Sequence, residues 1–306
     1  MIPSVLFPNI LDFIKVAIGF LQSFVKLIIW RPDVVFTKGG YVCLPVGWAA
    51  SLLRIPLVIH DSDAHPGLTN RLLAKHAVAI ATGAPLEYYN YPKSKSRYIG
   101  IPISEKFKPK THDERRNTKM ELGLNPDKPL IVVTGGGLGA KMINDYIDSN
   151  LEKLMNLGAV LLISGSNQYD ELRTKHPVDT DVFMLRAFIS EGMADLLAAA
   201  DVVVTRAGAT TILELAAVGA PTVLIPNARL TGGHQLKNAK VYSDADAAIV
   251  VEEAALSSES GSLVEVLATI LGDGSLRASL SKNILTFAKP DAAKHMAEMI
   301  LTATNR

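Results

Sequence analysis

The chain has 306 residues, long for one domain and comfortable for two. Its 31 basic and 30 acidic side chains leave a formal charge of +1, so no global field recruits nucleic acid. Composition is that of a globular protein, and a single cysteine, Cys43, excludes an intramolecular disulfide and suits a reducing compartment.

The start lacks the basic segment of a secretory signal. Residues 10–30 are one long apolar stretch whose polar members, Asp12, Lys15, Gln22, Ser23 and Lys26, fall on one narrow helical stripe. The rest of this helix, Phe13, Phe20 and Phe24 included, offers more apolar surface than one core contact needs. A bilayer crossing would bury three charges at about 2.5–3.5 kcal/mol each, which disfavours it. The expectation is a helix lying on a membrane surface, with Phe13, Phe20 and Phe24 meeting lipid.

From residue 33 the pattern becomes β/α alternation. Strands are expected at 33–36, 56–60, 77–81 and 97–99, and helices at 45–53 and 68–76. The charge-rich stretch 106–119 reads as a linker and surface helix. A second alternating set begins with a strand at 130–134 and ends with a helix at 291–304. Such alternation implies parallel sheets covered on both faces, and two sets imply two Rossmann-like domains with a cleft between them.

The densest information lies in residues 201–240. A buried strand at 202–205 runs into the small-residue turn Arg206-Ala207-Gly208-Ala209 and then a helix carrying Glu214. Free backbone N–H groups and the helix dipole converge there, which makes an anion site. An acid further along can accept hydrogen bonds from ribose hydroxyls. After a second strand comes a polar loop with His234, Gln235 and Asn238. The whole reads as a site for a sugar nucleotide. An earlier strand ends in Gly135-Gly136-Gly137-Leu138-Gly139-Ala140, but its spacing is not GxGxxG and no acid ends the next strand, which argues against NAD or FAD.

In the first block, His60, Asp61 and Asp63 follow one strand, and Gly39, Gly40 and Tyr41 another. A histidine beside two acids suits general-base chemistry, a capping network for the helix at Thr69-Asn70 or, with His65, a metal site.

Six blocks in order are similar to the MurG-type glycosyltransferases of family 28: RPDVVFTKGGYV, PLVIHDSDAHPGLTN, GIPI, VVTGGGLGAKMIN, FISEGMADLLAAADVVVTRAGATTILELAAVGAPTVLIP and HQLKNA. The resemblance implies an α/β GT-B fold of two Rossmann-like domains. It implies a membrane-side acceptor domain at 1–104, a donor domain at 105–288 and a helix at 289–306 packing back on the first domain. It implies inverting transfer of N-acetylglucosamine from UDP-N-acetylglucosamine to an undecaprenyl-linked muramoyl-pentapeptide, at the cytoplasmic membrane face. No cofactor or protein-held metal is implied.

The resemblance assigns the donor to Gly136, Gly137, Gly139, Asn144, Phe188, Ile189, Arg206, Gly208, Ala209, Thr211, Glu214, His234, Gln235 and Asn238. Within that set Glu214 would take the ribose, Gln235 the sugar hydroxyls and Ile189 the uracil. The acceptor falls to Gly39, Gly40, Tyr41 and Asn70; the candidates for the catalytic base are His60, Asp61 or Asp63, or a histidine on the family's GGTGGH-like segment. The family's HEQN is here His60-Asp61-Ser62-Asp63, and its GGSQGA is GGGLGA. The family also opens with a GGTGGH-like loop not found in these residues. The first domain is therefore expected to be incomplete, with poor turnover. A donor-binding chain without turnover, a glycolipid transferase and a 2-epimerase are the alternatives.

Overall fold

The computed structural model describes residues 6–136, 139–228, 233–257 and 262–305, with side chains from Ile14 onward. The chain forms two compact units: Met1–Pro102 with Asp291–Arg306, and Ile103–Pro290.

The first unit opens with α1 (Leu6–Trp30), followed by β1 (Val35–Thr37), α2 (Cys43–Leu52), β2 (Leu57–Asp61), α3 (Leu68–Leu73), β3 (Ala79–Thr82) and β4 (Ser96–Tyr98). Its four strands are parallel, in the order β1-β2-β3-β4. All five residues of β2, Leu-Val-Ile-His-Asp, are buried, as in a strand covered on both faces. Helix α3 stops three residues short of the expected end. The Lys95 ammonium caps it there, donating to the carbonyls of Ala74 (2.7 Å) and Ala77 (2.9 Å).

The orientation of α1 corrects one expectation. Gly19 faces Pro45 of α2, and Phe20, Phe24 and Leu27 join a core with Val35, Leu57, Ile59 and Leu73. Phe20 and Phe24 therefore point inward, stacked with ring centroids 6.0 Å apart. The outward face is Ile14, Ile18, Leu21, Val25, Ile28 and Ile29, each 41–78% exposed. The Phe13 side chain lies outside the described residues. Among the described residues no helix is long and apolar enough to cross a membrane.

The second unit contains α4 (His112–Glu121), β5 (Leu130–Thr134), α5 (Lys141–Ser149), α6 (Leu151–Leu157), β6 (Ala159–Ile163), α7 (Ser166–Lys175), β7 (Phe183–Arg186) and α8 (Met193–Ala199). It continues with β8 (Val202–Thr205), α9 (Ala209–Val218), β9 (Thr222–Leu224), α10 (His234–Ser243), β10 (Ile249–Val250), α11 (Leu263–Gly272) and α12 (Gly274–Leu285). The six strands are parallel, in the order β10-β9-β8-β5-β6-β7. The charged stretch before β5 contains the expected surface helix, α4, which is tied to the sheet at one side. Arg115 and Lys119 of α4 grip Asp201 at 2.9 and 2.8 Å, and the Asp201 carboxylate also accepts from Leu130 N at 2.7 Å. Pairing both cations, Lys119 buried and Arg115 partly exposed, with one carboxylate fastens α4 to the sheet.

The last helix, α13 (Ala292–Thr304), returns to the first unit, where Ala292 and Met296 pack with Ala81 and Ile99.

Candidate functional site

Strand order locates a site in the second unit. The chain runs β5, β6, β7 to one edge, then returns to lay β8 on the other side of β5. Connections leave the sheet in opposite directions at that point, and this opens a crevice at the carboxyl ends of the two strands. Thr134 and Thr205, the last residues of β5 and β8, stand side by side there. The Thr205 hydroxyl is buried and has no hydrogen-bond partner among the described residues. This threonine pair went unnoticed in the sequence, although both end apolar strands immediately before glycine-bearing turns.

Both turns flank the switch point. After β5, Gly136 and Gly139 have φ of +81° and +77°. A Cβ on Gly139 would collide with the Ser164 carbonyl, so a side chain there is excluded twice over. Gly137 lies outside the described residues. Asn144 of α5 is fully buried, and its amide donates to Ser164 O and Gln168 Oε1, both at 2.8 Å. It ties α5 to the β6–α7 turn, while its Oδ1 is left without a partner among the described residues.

After β8, Gly208 is the N-cap of α9, with extended backbone and no side-chain cap. The first N–H groups of a helix have no intrahelical acceptor, so those of Ala209, Thr210 and Thr211 are offered to a ligand. Glu214 lies one turn on from Thr210 and Thr211, half-buried on the same helical face. Burial pushes its carboxyl above the usual range. Glu214 makes no ion pair among the described residues. Arg206, on the turn before the helix, is not its partner. Arg206 instead pairs with Glu253 at 2.5 Å and donates to Ile225 O at 3.1 Å. That pair directs the guanidinium toward the end of β9.

Helix α10 is fastened to the same region. The Gln235 side-chain oxygen accepts from Asn227 N at 2.8 Å, and Asn238 donates to Ala207 O at 3.1 Å. His234 is half-buried at the start of the helix. Beyond β7, Phe188 is 60% exposed and Ile189 half-buried. The residues after β8 and in α10 are thus linked directly by hydrogen bonds. Phe188 and Ile189 follow the strand at the opposite edge of the sheet.

The first unit gathers titratable groups at the end of β2. His60 is fully buried; its Nε2 lies 2.9 Å from Gly100 O and its Nδ1 3.3 Å from Ser62 Oγ. With Nε2 donating to the carbonyl, Nδ1 accepts from the serine. Burial, helped by the charge of Lys38, holds its pKa down at about 4. His60 is therefore a neutral clasp between β2 and the segment after β4, and not the solvent-facing base that its neighbours in sequence suggested.

Asp61 is 5% exposed and accepts from Tyr91 OH at 2.7 Å. Burial raises its pKa to about 6, against the hydrogen bonds from Tyr91, Asn70 and Gly67; the nearby Asp63 raises it further. Asn70 is buried, donates to His60 O at 3.0 Å and leaves its Oδ1 unpartnered among the described residues. A Cβ on Gly39, whose φ is +82°, would sit 3.1 Å from the Asn70 amide. Gly39, Asn70, His60 and Asp61 thus form one cluster, with Asp63 half-buried beside it and Gly40 and Tyr41 exposed. Tyr91 was missed in the sequence. Among the described residues no group of three His, Cys, Asp or Glu is placed to hold a metal ion.

Two parallel-sheet α/β units, one with a nucleotide-type switch point, define the class. Residues 3–82 match the glycosyltransferase family 28 N-terminal domain and residues 130–296 the glycosyltransferase family 28 C-terminal domain. A protein of a Thermoanaerobacter strain is 34% identical over 296 residues, covering 95% of this chain and 79% of the relative. One of Bacillus subtilis is 34% identical over 300 residues, covering 96% and 80%. Both are named UDP-N-acetylglucosamine–N-acetylmuramyl-(pentapeptide) pyrophosphoryl-undecaprenol N-acetylglucosamine transferase. The crystal structure of Acinetobacter baumannii MurG superposes with a TM-score of 0.74 at 26% identity, covering 94% of this chain and 79% of that one. A UDP-GlcNAc 2-epimerase from Neisseria meningitidis shares the fold at 12% identity, with a TM-score of 0.66. The chain belongs to glycosyltransferase family 28.

Proposed function

We infer that this chain transfers N-acetylglucosamine from UDP-N-acetylglucosamine to a lipid-linked N-acetylmuramyl-pentapeptide diphosphate. The observation that carries the reading is the β5/β8 switch point with its two glycine turns and Glu214, in a chain 34% identical to transferases of that name. The donor diphosphate lies against the N–H groups opening α9, which stabilise the negative charge it gains as it leaves. Glu214 accepts from the ribose hydroxyls, Gln235 reads the sugar and Ile189 meets the uracil. Gly136, Gly139 and Asn144 shape the opposite wall of the crevice, while Arg206, His234 and Asn238 hold the turn and α10 around it.

The acceptor hydroxyl oxygen bonds to the anomeric carbon as the bond to the diphosphate oxygen breaks, and UDP departs. Asp61 takes the hydroxyl proton. It is ionised at neutral pH and basic enough to accept a proton, unlike His60 with its lowered pKa. The acceptor is held by Gly39, Gly40, Tyr41 and Asn70. No metal or cofactor has a step in this scheme. The exposed aliphatic face of α1, bordered by the exposed Lys15 and Lys26, rests on the cytoplasmic membrane surface where a lipid acceptor resides.

The test is transfer of labelled N-acetylglucosamine to the lipid acceptor, with UDP binding followed by calorimetry. Transfer that requires the acceptor supports the reading. Release of free sugar or epimerised donor, with no labelled lipid, would overturn it in favour of a hydrolase or epimerase.

A further inference from the structure

Tyr91 has no role in the scheme above, yet its hydroxyl donates to Asp61 Oδ2 at 2.7 Å, beside the bonds that Asn70 and the Gly67 N–H make to the same carboxylate. It lies 30 residues away in sequence, on the segment between β3 and β4. That segment is held rigidly. The Tyr89 and Tyr91 rings stack with centroids 5.7 Å apart and planes 13° from parallel. Tyr89 OH donates to Asp63 O at 2.6 Å and accepts from Ala84 N at 3.2 Å. A tyrosine anchored in this way cannot follow a carboxylate that swings, so it fixes one carboxylate oxygen.

On its other side Tyr91 walls a hollow of about 400 Å³, together with His65, Arg71, Lys75, Tyr88 and Asn90. Asp61 therefore has its Oδ2 held by a phenol, while Asn70 and the Gly67 N–H also bond to the carboxylate, so the plane in which it can meet a substrate proton is fixed. Tyr89 bonds to a backbone carbonyl, whereas Tyr91 bonds to a titratable carboxylate.

We propose that Tyr91 is a positioning residue for glycosyl transfer: its hydroxyl pins Asp61 Oδ2 and so fixes the plane in which the carboxylate meets the acceptor hydroxyl. The proposal rests on Asp61 being the base, as inferred above. Its hydrogen bond also favours the ionised carboxylate. The other groups acting on this pair are Asn70 and the Gly67 N–H, both bonding to Asp61, with the charges of Asp63 on Asp61 and of Arg71 on Tyr91 and the neighbouring phenol of Tyr89.

The experiment compares Tyr91→Phe and Asp61→Asn in the full chain, with kcat and KM followed from pH 5 to 9. Thermal melting and UDP affinity serve as controls for folding. Tyr91→Phe should lower kcat about ten-fold or more, leave KM for the sugar nucleotide unchanged, and move the acid limb of the profile up by about one pH unit. Incorporating 3-fluorotyrosine at position 91 keeps the shape and strengthens the donor, so the limb should move down. This second substitution serves even if Tyr91→Phe folds poorly. If Asp61→Asn abolishes turnover while both Tyr91 substitutions leave kcat within two-fold and the limb in place, Tyr91 is only a structural tie and the proposal falls. If Asp61→Asn itself retains activity within two-fold, the base assignment fails, and the proposal fails with it.

Discussion

The two units solve different chemical problems with the same kind of sheet. In the second, the end of the sheet is furnished with backbone N–H groups, glycines and neutral polar side chains, and Glu214 is its half-buried acid. In the first, the end of β2 carries a buried histidine and a buried aspartate whose pKa values are pushed to about 4 and about 6. Fixed dipoles hold a diphosphate without needing to change charge, whereas groups with displaced pKa values are equipped to move a proton. On the function proposed above, one strand end binds and the other reacts.

Removing the reacting carboxylate gives the largest expected effect. Asp61→Asn should cost roughly 10²–10⁴ in kcat, the range of general-base catalysis, with UDP affinity unaltered. A parallel loss of UDP affinity would erase the division of labour. The binding unit is broken most severely at Gly139. Gly139→Ala combines a positive φ with a collision against Ser164 O, and should cost about 2–4 kcal/mol of stability in chemical denaturation. Glu214→Gln is milder. It keeps the shape but loses a charged acceptor, so calorimetry should show UDP-sugar affinity weakened by roughly 1.5–3 kcal/mol. Unchanged affinity would detach Glu214 from the ribose.

On α1, Leu21→Ser and Ile29→Ser should release the protein from vesicles without lowering its melting temperature, since both side chains are more than 60% exposed. Phe24→Ser should lower the melting temperature, because that ring belongs to the core.

The smallest effect is on stability against pH. Folded Asp61 holds its proton up to about pH 6 against 3.8 unperturbed, so between these values the folded state binds more protons and stability falls as pH rises. His60 does the reverse: its pKa falls to about 4 from 6.5, so the unfolded state binds more protons and stability rises with pH. The slopes offset one another in the unaltered chain. With Asp61→Asn only the histidine slope remains, and the melting temperature should climb between pH 4 and 6.5. A flat profile in that variant would mean that His60 is not held neutral.

The alternation of strands and helices, and the turns after β5 and β8, were legible because each is written in a few consecutive residues. What was not legible depends on residues distant in sequence. Nothing around Arg206 announces Glu253, and nothing around Asp61 announces Tyr91. Helix α1 failed for another reason: periodicity reveals which face is polar, and a helix apolar on most sides does not say which apolar face turns inward. Gly19 was the clue, because a residue without a side chain marks where another helix approaches. The surface helix within 106–119 was legible from its charge, but not that Arg115 and Lys119 spend their charge on Asp201, which is distant in sequence.

The return of α13 gives the chain an unusual order of completion. Ala292 and Met296 contribute to the packing around Ala81 and Ile99, so the unit whose strands are made first lacks part of its interior until the helix at 292–304 has been made. The intervening 103–290 segment is continuous and carries its own core, and domains generally fold as units during synthesis. On the ribosome, the 103–290 unit is therefore complete before the other. The aliphatic surface of α1 spends that interval beside a partly built core, where a chaperone or a membrane would find it first.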